Sequence, residues 1–517
     1  MRVLGRTPHA SALHARRRRR ELQLLGDTPD VDVLVVGGGV TGAGIALDAA
    51  SRGLRTVLVE RRDLAHGTSR WSSKLVHGGL RYLASGQVGI AHESAAERHL
   101  LMTRIAPHLV RPMAQVLPLF APDHVARGVY VGLGYGLGDG MRRFVGTPDA
   151  VLHAPGPLGR AETLRLAPAV RTDALRGSLR GWDGQLFDDA RLVVAIARTA
   201  AGHGACVLTR VSALELHGDG ALLRDELTGE TMRVRARAVM TATGVWAGEV
   251  QPDVRLRPSR GTHLVVDSAR LGGSDVSLTV PVPGSSSRFV FTVPAPHGRT
   301  YVGLTDVPAD AVVDQPQPDD DEIDLLLGVV NSALAEPITR DDVIGVFAGL
   351  RPLIAGDRQQ TSDLSRRHDV RETDDGSIAV IGGKLTTYRR MAEHGVDAAV
   401  RLRFTDRAVP GCRTRGIPLV GGWPRGRLAE IDAAPRFVRR YGAEAPYAAS
   451  LPRGPGAARG VTAQELQWGV EVEGALSVAD LVDRRTRLGL VGADAAASRA
   501  AAADAFARAG IDPVRDR

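Results

Sequence analysis

The chain has 517 residues, 44% of them hydrophobic, and is long enough for more than one domain with a buried core. No apolar run reaches the roughly 18–20 residues of a membrane-spanning helix. The two cysteines, Cys206 and Cys412, have neither metal-binding nor redox spacing, which argues against a disulfide framework or a thiol catalyst and fits a reducing cytoplasm. No metal site is expected.

The net charge of +8 is uneven, because residues 16–20 are all arginine. Residues 1–30 are predicted to form a basic disordered arm, since charge runs are usually solvated. Contact with an anionic membrane or a nucleic acid is the alternative. The segment lacks the apolar stretch of a secretory signal peptide.

A dinucleotide-binding pattern occupies residues 32–60. Residues 32–36 form an apolar, β-branched run typical of a buried parallel strand. Gly37, Gly39 and Gly42 then form the G-x-G-x-x-G turn that lets a backbone approach a pyrophosphate at a helix N-terminus. A second strand ends in Glu60, 18 residues after Gly42, where an acid accepts hydrogen bonds from ribose hydroxyls.

The loop at residues 63–83 is dense in hydroxyls, glycines and charges, as suits a loop along a polar ligand. Arg81 and Tyr82 in this loop could reach a separate anionic substrate. Only two of the 66 basic residues are lysines, Lys74 and Lys384, and both lie in glycine-containing motifs. Both are therefore predicted to be site residues, where a compact ammonium or one that can lose a proton is required.

A second strand, glycine turn and helix follows at residues 377–402, and the strands between are mostly antiparallel. The predicted fold is α/β, with a Rossmann-like dinucleotide-binding domain, an inserted antiparallel β-rich substrate domain and an α-helical C-terminal domain. Residues 181–191 are read as a turn, and residues 125–144 receive no assignment. The predicted boundaries are 31–407 for the oxidoreductase domain, 408–427 for a linker and 428–517 for the helical domain. Within the oxidoreductase domain, the dinucleotide-binding parts lie near 31–110, 181–262 and 342–407. The substrate-binding parts lie near 111–180 and 263–341.

Eight segments in a fixed order carry a family resemblance: GGGVTGAGIA at the opening turn, SSKLVHGGLRYL at 72–83, FDDARLVVA at 187–195, RGTHLVV at 260–266, GLTD at 303–306, GLRPL at 349–353, GGKLTTYRRMAEH at 382–394 and RRTRLGL at 484–490. Together they resemble the FAD-dependent glycerol-3-phosphate dehydrogenases, within the glycine-oxidase-like flavoprotein superfamily. The basic arm lies outside the resemblance. The segment TSRWSSKL departs from it, because Arg70 and Trp71 replace smaller residues.

The resemblance implies oxidation of sn-glycerol 3-phosphate to dihydroxyacetone phosphate, with noncovalent FAD as hydride acceptor and a membrane quinone as the final electron acceptor. It also implies a cytoplasmic enzyme with peripheral contact to the membrane and no nucleic-acid partner. A homodimer is left open.

The resemblance and the chemistry together indicate the site residues. His263 is the candidate base, because an imidazole titrates near neutrality, and a structural strand histidine is the alternative. Arg351 either binds the phosphate or stabilises a developing alkoxide, and Lys384 completes the catalytic set. The substrate-binding residues are Arg81, Tyr82, Arg351, Arg366, Lys384 and Thr387. The cofactor-binding residues are Gly37, Gly39, Gly42, Glu60, Thr68, Ser69, Ser72, Ser73, Lys74, Val211, Thr243, Gly244, Gly383, Leu385 and Thr386.

Three other functions are considered. An oxygen-using glycerol-3-phosphate oxidase would share fold and substrate, and would release peroxide. A flavin amine or amino-acid oxidase would use one carboxylate-binding arginine and would not respond to glycerol 3-phosphate. A nucleic-acid-binding protein would bind through residues 1–30 with steep salt dependence.

Overall fold

The structure, a computed structural model, describes residues 9–79, 82–83, 86–285, 288–355 and 368–515. The strands are β1 Asp30–Val36, β2 Thr56–Glu60, β3 Leu75–Val76, β4 Val110–Phe120, β5 Gly156–Leu158, β6 Leu175–Leu186, β7 Cys206–Thr209, β8 Val211–His217, β9 Gly220–Asp225, β10 Thr231–Thr241, β11 Ser259–Asp267, β12 Ser277–Pro281, β13 Phe289–Ala295, β14 Arg299–Gly303, β15 Val307–Pro308, β16 Val343–Arg351, β17 His368–Glu372 and β18 Ile378–Gly382. The α-helices are α1 Ala15–Asp27, α2 Val40–Ser51, α3 Val88–Leu100, α4 His124–Phe144, α5 Arg160–Leu166, α6 Asp189–Gly202, α7 Ala247–Val250, α8 Asp320–Asn331, α9 Tyr388–Arg403, α10 Arg425–Ala429, α11 Pro435–Tyr441, α12 Ala445–Ser450, α13 Ala463–Glu471 and α14 Gly492–Arg508.

The first sheet has the Rossmann-like arrangement that the sequence predicts. Its strands run in the order β17-β18-β10-β1-β2-β7, and the five from β18 to β7 are mutually parallel. Helices α2, α6 and α9 pack on one face, where Ile45, Ile196 and Val396 are fully buried. The apolar strands β1 and β2 are covered on both faces, as continuous β-branched runs indicate.

The second sheet is mostly antiparallel and forms the predicted inserted domain. In the described part of the chain it has ten strands, in the order β15-β11-β14-β13-β12-β4-β6-β3, with β16 beside β11 and β5 beside β6. Helix α8 packs on it through Leu326 and Val330. The pairing of β11 with β16 places His263 opposite Phe347 and Ser259 opposite Arg351, which decides the geometry of the site.

The prediction of a disordered arm is wrong for residues 15–27, which form helix α1. Leu22 and Leu25 join an apolar cluster on the second face of the first sheet. The Arg18 guanidinium donates to Asp225 Oδ1 at 2.5 Å and to the Thr209 carbonyl at 2.7 Å, and the side chain is buried. One arginine of the five-arginine run is buried, because helical periodicity turns Arg18 toward the protein and leaves Arg16, Arg19 and Arg20 exposed to solvent.

Two other segments differ from the sequence reading. Residues 181–186 continue strand β6 instead of forming a turn, because β6 pairs with β4 along nearly its whole length. Gly184 fits there because a Cβ on it would lie 2.9 Å from the Val76 carbonyl oxygen of the neighbouring strand β3. The unassigned residues 125–144 belong to the 21-residue helix α4.

The C-terminal region is helical, as predicted, and it is joined to the rest of the molecule by buried ion pairs. Glu473 accepts hydrogen bonds from both terminal nitrogens of Arg191, at 2.6 and 3.0 Å. Asp63, at the end of the first dinucleotide unit, accepts two from Arg485 at 2.8 and 2.9 Å. The boundaries of the domains and of the 408–427 linker stay predictions.

Candidate active site

The turn after β1 is built for a close approach by a ligand. Gly37 has φ +112°, and a Cβ on it would lie 2.6 Å from the Ala242 carbonyl oxygen. A Cβ on Gly42 would lie 1.8 Å from the Gly37 carbonyl oxygen, so neither position accepts a side chain. Gly39 is the N-cap of α2 and, as a glycine, has no side chain of its own to cap that helix. The glycines therefore form the cradle that a pyrophosphate needs at a helix N-terminus.

Glu60 ends β2 beside this turn. Its carboxylate accepts a hydrogen bond from the Gly38 N–H at 2.7 Å and from the Arg62 N–H at 2.7 Å. Burial raises the pKa of Glu60. An ionised carboxylate has about four acceptor positions, so those that remain suit ribose hydroxyls.

Thr243, Gly244 and Val211 lie near the same end of the sheet. The Thr243 hydroxyl is buried and has no hydrogen-bond partner among the described residues, as expected of a group that a ligand satisfies. Gly244 adopts φ +60°. The Val211 side chain is buried in the apolar cluster beneath β2, so a contact between Val211 and a cofactor would have to be made by its backbone.

The loop at residues 68–74 connects the dinucleotide turn to the second sheet. At one end, the Ser69 hydroxyl accepts a hydrogen bond from the Val40 N–H, in the first turn of α2, at 3.0 Å. The Thr68 hydroxyl donates to the Leu350 carbonyl on β16 at 2.7 Å. At the other end, Ser73 Oγ lies 2.9 Å from His263 Nε2. The predicted hydroxyls therefore follow a path from the phosphate cradle to the candidate base.

His263 is held in a dry position on β11. The side chain is 2% exposed, and its ring stacks on Phe347 with a centroid distance of 4.7 Å. Gly303 makes room for it, since a Cβ there would lie 2.3 Å from the ring. Burial, followed by Lys74 and Arg351, holds the pKa of His263 well below its usual value. Its Nδ1 has no partner among the described residues, so the neutral ring has an unused polar atom.

Arg351 ends β16 on the same face of the sheet. Its Nη1 donates to Ser259 Oγ and lies 3.2 Å from Asp306 Oδ1, and its Nη2 donates to the Thr305 carbonyl at 3.1 Å. Gly261, between Ser259 and His263, leaves space for the guanidinium. Because side chains alternate along a strand, Ser259, Gly261 and His263 share one face of β11.

Lys384 lies in the second glycine turn. Its ammonium donates to Ser94 Oγ on α3 at 2.7 Å and lies 3.9 Å from the centroid of the Tyr82 ring. Gly383 adopts φ +76° with Met391 and His368 packed against it. The contacts of Lys384 therefore run to α3, whereas those of His263 and Arg351 run along β11 and β16.

Three other predicted residues surround this turn. Leu385, Thr386 and Thr387 form a single 3₁₀ turn that leads into α9. The Thr387 N–H donates to the Lys384 carbonyl at 3.1 Å, and its side chain is buried. These residues therefore present a helix N-terminus beside the lysine. The predicted Arg81 and Arg366 lie outside the described residues.

Lys74 differs from the simple prediction of a cofactor ligand. It is 2% exposed, and its ammonium donates to the Arg70 and Ser72 carbonyls at 3.1 and 2.9 Å and pairs with Asp189 at 3.0 Å. Burial lowers its pKa to about 8 against the opposing effect of Asp189. Since an ammonium has three N–H groups, these contacts occupy all of them.

Sequence reasoning missed several residues that shape the site. Asp189 accepts hydrogen bonds from the Ser72 N–H and hydroxyl at 2.9 and 2.8 Å, and it lies in the FDDARLVVA segment, to which no site role was given. Ser94 had no signal. Phe347 and Trp71 stack at 5.9 Å, a contact between β16 and the loop at residues 68–74 that no local pattern indicates.

The fold, the glycine cradle and the buried His263 together define a dinucleotide-dependent oxidoreductase. A family model described as FAD dependent oxidoreductase matches residues 32–384, which include the glycine cradle, His263, Arg351 and Lys384. This match confirms FAD as the cofactor.

Relatives that match most of this chain identify the kind of FAD-dependent oxidoreductase. Glycerol-3-phosphate dehydrogenase 1 of Mycobacterium tuberculosis is 50% identical over 503 residues, covering 94% of this chain and 97% of that protein. The mitochondrial glycerol-3-phosphate dehydrogenase of Mus musculus is 34% identical, covering 93% of this chain and 70% of that protein. The chain therefore belongs to the glycerol-3-phosphate dehydrogenase family.

A solved structure agrees with this assignment. The glycerol-3-phosphate dehydrogenase of Bacillus halodurans, crystallised with FAD, superposes with a TM-score of 0.70 at 29% identity, covering 92% of this chain and 90% of that chain. No helix within the described ranges is long and apolar enough to cross a membrane.

Proposed function

We propose that this protein oxidises sn-glycerol 3-phosphate to dihydroxyacetone phosphate. One observation carries the proposal: a buried, neutral His263 and the Arg351 guanidinium lie on the same face of the adjacent strands β11 and β16. When bound, FAD supplies the hydride acceptor at its N5 atom. The names of the relatives at 50% and 34% identity support this choice of substrate.

His263 takes the proton of the C2 hydroxyl in this proposal. We assign the tautomer in which Nε2–H donates to Ser73 Oγ, because it leaves the lone pair of the unpartnered Nδ1 as the proton acceptor. The lowered pKa keeps the imidazole neutral at pH 7, as a base requires. Lys74 and Arg351 disfavour the protonated ring, so they favour early release of the proton.

Arg351 binds or orients the substrate. Its hydrogen bonds to Ser259 and Thr305 and its ion pair with Asp306 fix the plane of the guanidinium, so that little conformational entropy is lost when an anion binds. We assign Arg81, Tyr82, Arg366, Lys384 and Thr387 to the same substrate, with the arginines and the lysine matching the charge of the phosphate.

The noncovalent FAD would be held by the cofactor-binding residues predicted above. The unpartnered Thr243 hydroxyl and the glycine cradle at Gly37 support this fit. Lys74 is the exception, because we assign it to ordering the loop from which Ser72 and Ser73 reach the site.

The electron acceptor in this proposal is a membrane quinone, reached from the cytoplasmic face. Helix α4 supports contact with a lipid surface, because Val125, Val129, Leu133 and Leu137 recur every four residues and are each between 60 and 66% exposed. Arg127 and Arg143 are exposed on the same helix and would complement anionic lipid headgroups. Phe144 contacts His92 on α3, the helix that also carries Ser94 beside Lys384.

Anaerobic titration of the FAD-loaded protein with glycerol 3-phosphate tests the reaction. We expect the flavin absorbance to bleach completely with one equivalent of substrate, because each turnover delivers one hydride. Glycerol and amino acids are the control compounds and should leave the band unchanged. No bleaching by glycerol 3-phosphate would overturn the proposal.

The acceptor is tested separately with reduced enzyme. Reoxidation by a soluble quinone analogue should be fast, and peroxide formation in air should be slow. Stoichiometric peroxide at the rate of turnover would instead identify an oxidase.

A further inference from the structure

Residues 70–74 are here called the hinge segment. They connect Ser69, which contacts the phosphate cradle, to the second sheet that carries His263. Ser73 in this segment orients His263 through the 2.9 Å contact between Oγ and Nε2. Lys74 has a left-handed backbone, with φ +58°, which is costly for a residue that has a Cβ. The segment must therefore be held by contacts stronger than its own backbone preference.

One set of contacts comes from the start of helix α6. Asp189 pairs with Lys74 and accepts two hydrogen bonds from Ser72. Burial alone would raise the pKa of Asp189, but Lys74 and then Arg487 outweigh it, so that its pKa lies below the usual value. The charge balance at α6 thus includes an arginine from the C-terminal region.

Arg487 supplies the second set of contacts. Its Nη2 donates to the Arg70 carbonyl at 2.5 Å, the same oxygen that accepts from the Lys74 ammonium. Its Nε lies 3.1 Å from Asp188 Oδ2, and its guanidinium lies 5.3 Å from the centroid of the Trp71 ring. The side chain is buried, and its own backbone is left-handed at φ +63°.

The position of Arg487 is itself fixed by the C-terminal domain. Its Nη1 donates to the Asp483 carbonyl at 2.8 Å, and its own carbonyl accepts a hydrogen bond from Arg299 Nη1 at 2.8 Å. The preceding Arg484 and Arg485 are anchored on Asp63. A displacement of the C-terminal helices would therefore move the guanidinium away from the hinge segment.

We propose that Arg487 is a positioning residue through which the C-terminal helical domain fixes the hinge segment against His263 and the cofactor. This inference rests on the proposed function for its catalytic consequence, and it gives the C-terminal domain a role in the reaction. The contacts of Arg487 are with the hinge segment and the start of α6, so it acts on His263 indirectly. It acts on the Arg70 carbonyl, the Trp71 ring and Asp188, and these set the position of Ser73.

Hydrogen–deuterium exchange of the FAD-loaded protein tests the inference without turnover. In Arg487→Gln, we expect the peptides that cover residues 68–79 to exchange at least tenfold faster than in the wild type. Arg487→Lys should give an intermediate rate, because it keeps the charge beside Asp188 but loses the planar fork. The dichroism of the bound flavin should change in parallel.

Kinetics supply the second measurement. In Arg487→Gln, kcat should fall about tenfold, with a smaller change in KM. The acid limb of kcat/KM should move to higher pH, because water that reaches His263 relieves the burial that depresses its pKa. Lys74 and Arg351, the charges that face His263, remain in the variant, so burial is the quantity that changes.

Arg198→Gln is the matched control. Arg198 is a buried arginine in the same interdomain contact, and it donates to Glu444 at 2.8 Å from each terminal nitrogen. Its loss should lower thermal stability but leave the exchange of residues 68–79 and the acid limb unchanged. Equal effects of the two substitutions would reduce Arg487 to a structural role and overturn the inference.

If Arg487→Gln does not fold, Asp188→Asn replaces it. The asparagine oxygen can still accept the capping hydrogen bond from the Arg191 N–H, while the charge partner of Arg487 is lost. Wild-type protection of residues 68–79 in the variants that fold would overturn the inference. The exchange result remains valid even if glycerol 3-phosphate does not bleach the flavin of the wild-type protein. Failure of the proposed function can therefore be distinguished from failure of this inference.

Discussion

At the scale of single residues, His263 shows how burial adapts a common side chain to proton transfer. The imidazole has lost most of its hydration, is stacked on Phe347 and faces the positive charges of Lys74 and Arg351. The loss of hydration and the two positive charges each disfavour the charged ring. A neutral histidine at physiological pH is ready to accept a proton, and its low basicity prevents it from retaining that proton.

The pH dependence follows from this shift. The active form is the neutral ring, so the contribution of His263 to kcat/KM should be constant above pH 6.5 and should fall only as the pH drops through the lowered pKa of His263. His263→Asn should retain FAD and lose about 10²–10⁴-fold in kcat. The exposed His217→Asn is the control.

Titration of the substrate phosphate produces an acid limb in every variant, since its second pKa is about 6. The difference between the wild-type and His263→Asn profiles therefore reports the histidine. If His263→Asn kept the wild-type kcat, His263 would have a structural role only.

At the scale of secondary-structure elements, helix α4 is unusual for what it leaves exposed. Twenty-one residues span about 30 Å, at about 1.5 Å per residue. The apolar stripe faces solvent, while Val131 and Arg142 face the protein. Asp139 is already paired with Arg142 and Arg143, at 2.6 and 2.9 Å, so the carboxylate does little to repel an anionic surface.

Vesicle flotation with phosphatidylglycerol membranes tests this helix. The double substitution Leu133→Gln and Leu137→Gln should reduce vesicle binding by about tenfold or more. Burying one leucine side chain in lipid contributes about 1.5–3 kcal/mol to the binding free energy. Activity with a soluble dye should be unchanged, since neither residue contacts the site.

The control substitutes two exposed leucines remote from α4 in the sequence, Leu214→Gln on β8 and Leu227→Gln in the turn between β9 and β10, and should bind like the wild type. If the α4 variant binds vesicles normally but changes the oligomeric state, the stripe is an interface between two copies of the chain, and membrane contact through α4 is wrong.

At the scale of the whole molecule, the two ends of the chain are both attached to the dinucleotide domain. Helix α1 covers the second face of the first sheet through Leu22 and Leu25, and Arg18 reaches Asp225 on the β8–β9 hairpin. The C-terminal helices are anchored on Asp63, Arg191 and Arg198. Buried ion pairs of this kind add little net stability, but breaking one leaves a buried charge.

The N-terminal helix gives a test at this scale. Arg18→Ala should lower the free energy of unfolding by about 3–5 kcal/mol, because Asp225 is left buried and unpaired. Arg19→Ala, one position along on the exposed face, should change it little. Urea unfolding followed by flavin release and by tryptophan fluorescence measures both. Indistinguishable variants would support the disordered arm that the composition predicts.

The sequence by itself determined the dinucleotide unit and the second glycine turn, and it proposed His263 and Arg351 as candidates. These signals are local: a strand, a turn and a helix each follow from the spacing of apolar residues and glycines along a few turns of chain. The same locality explains why the C-terminal helices were predicted while α4, rich in glycine, received no assignment.

Only the tertiary structure decided what each side chain does in its surroundings. Composition singled out Lys74 as a cofactor ligand, whereas its pairing with Asp189 depends on how the hinge segment packs against α6. Arg18 and Arg19 are equivalent in the sequence, and helix packing buries one of them. The contact of Arg487 with the Arg70 carbonyl joins residues 417 positions apart, and no local pattern encodes such a distance along the chain. Burial and pairing are properties of the folded surroundings, so they appear only when distant segments meet.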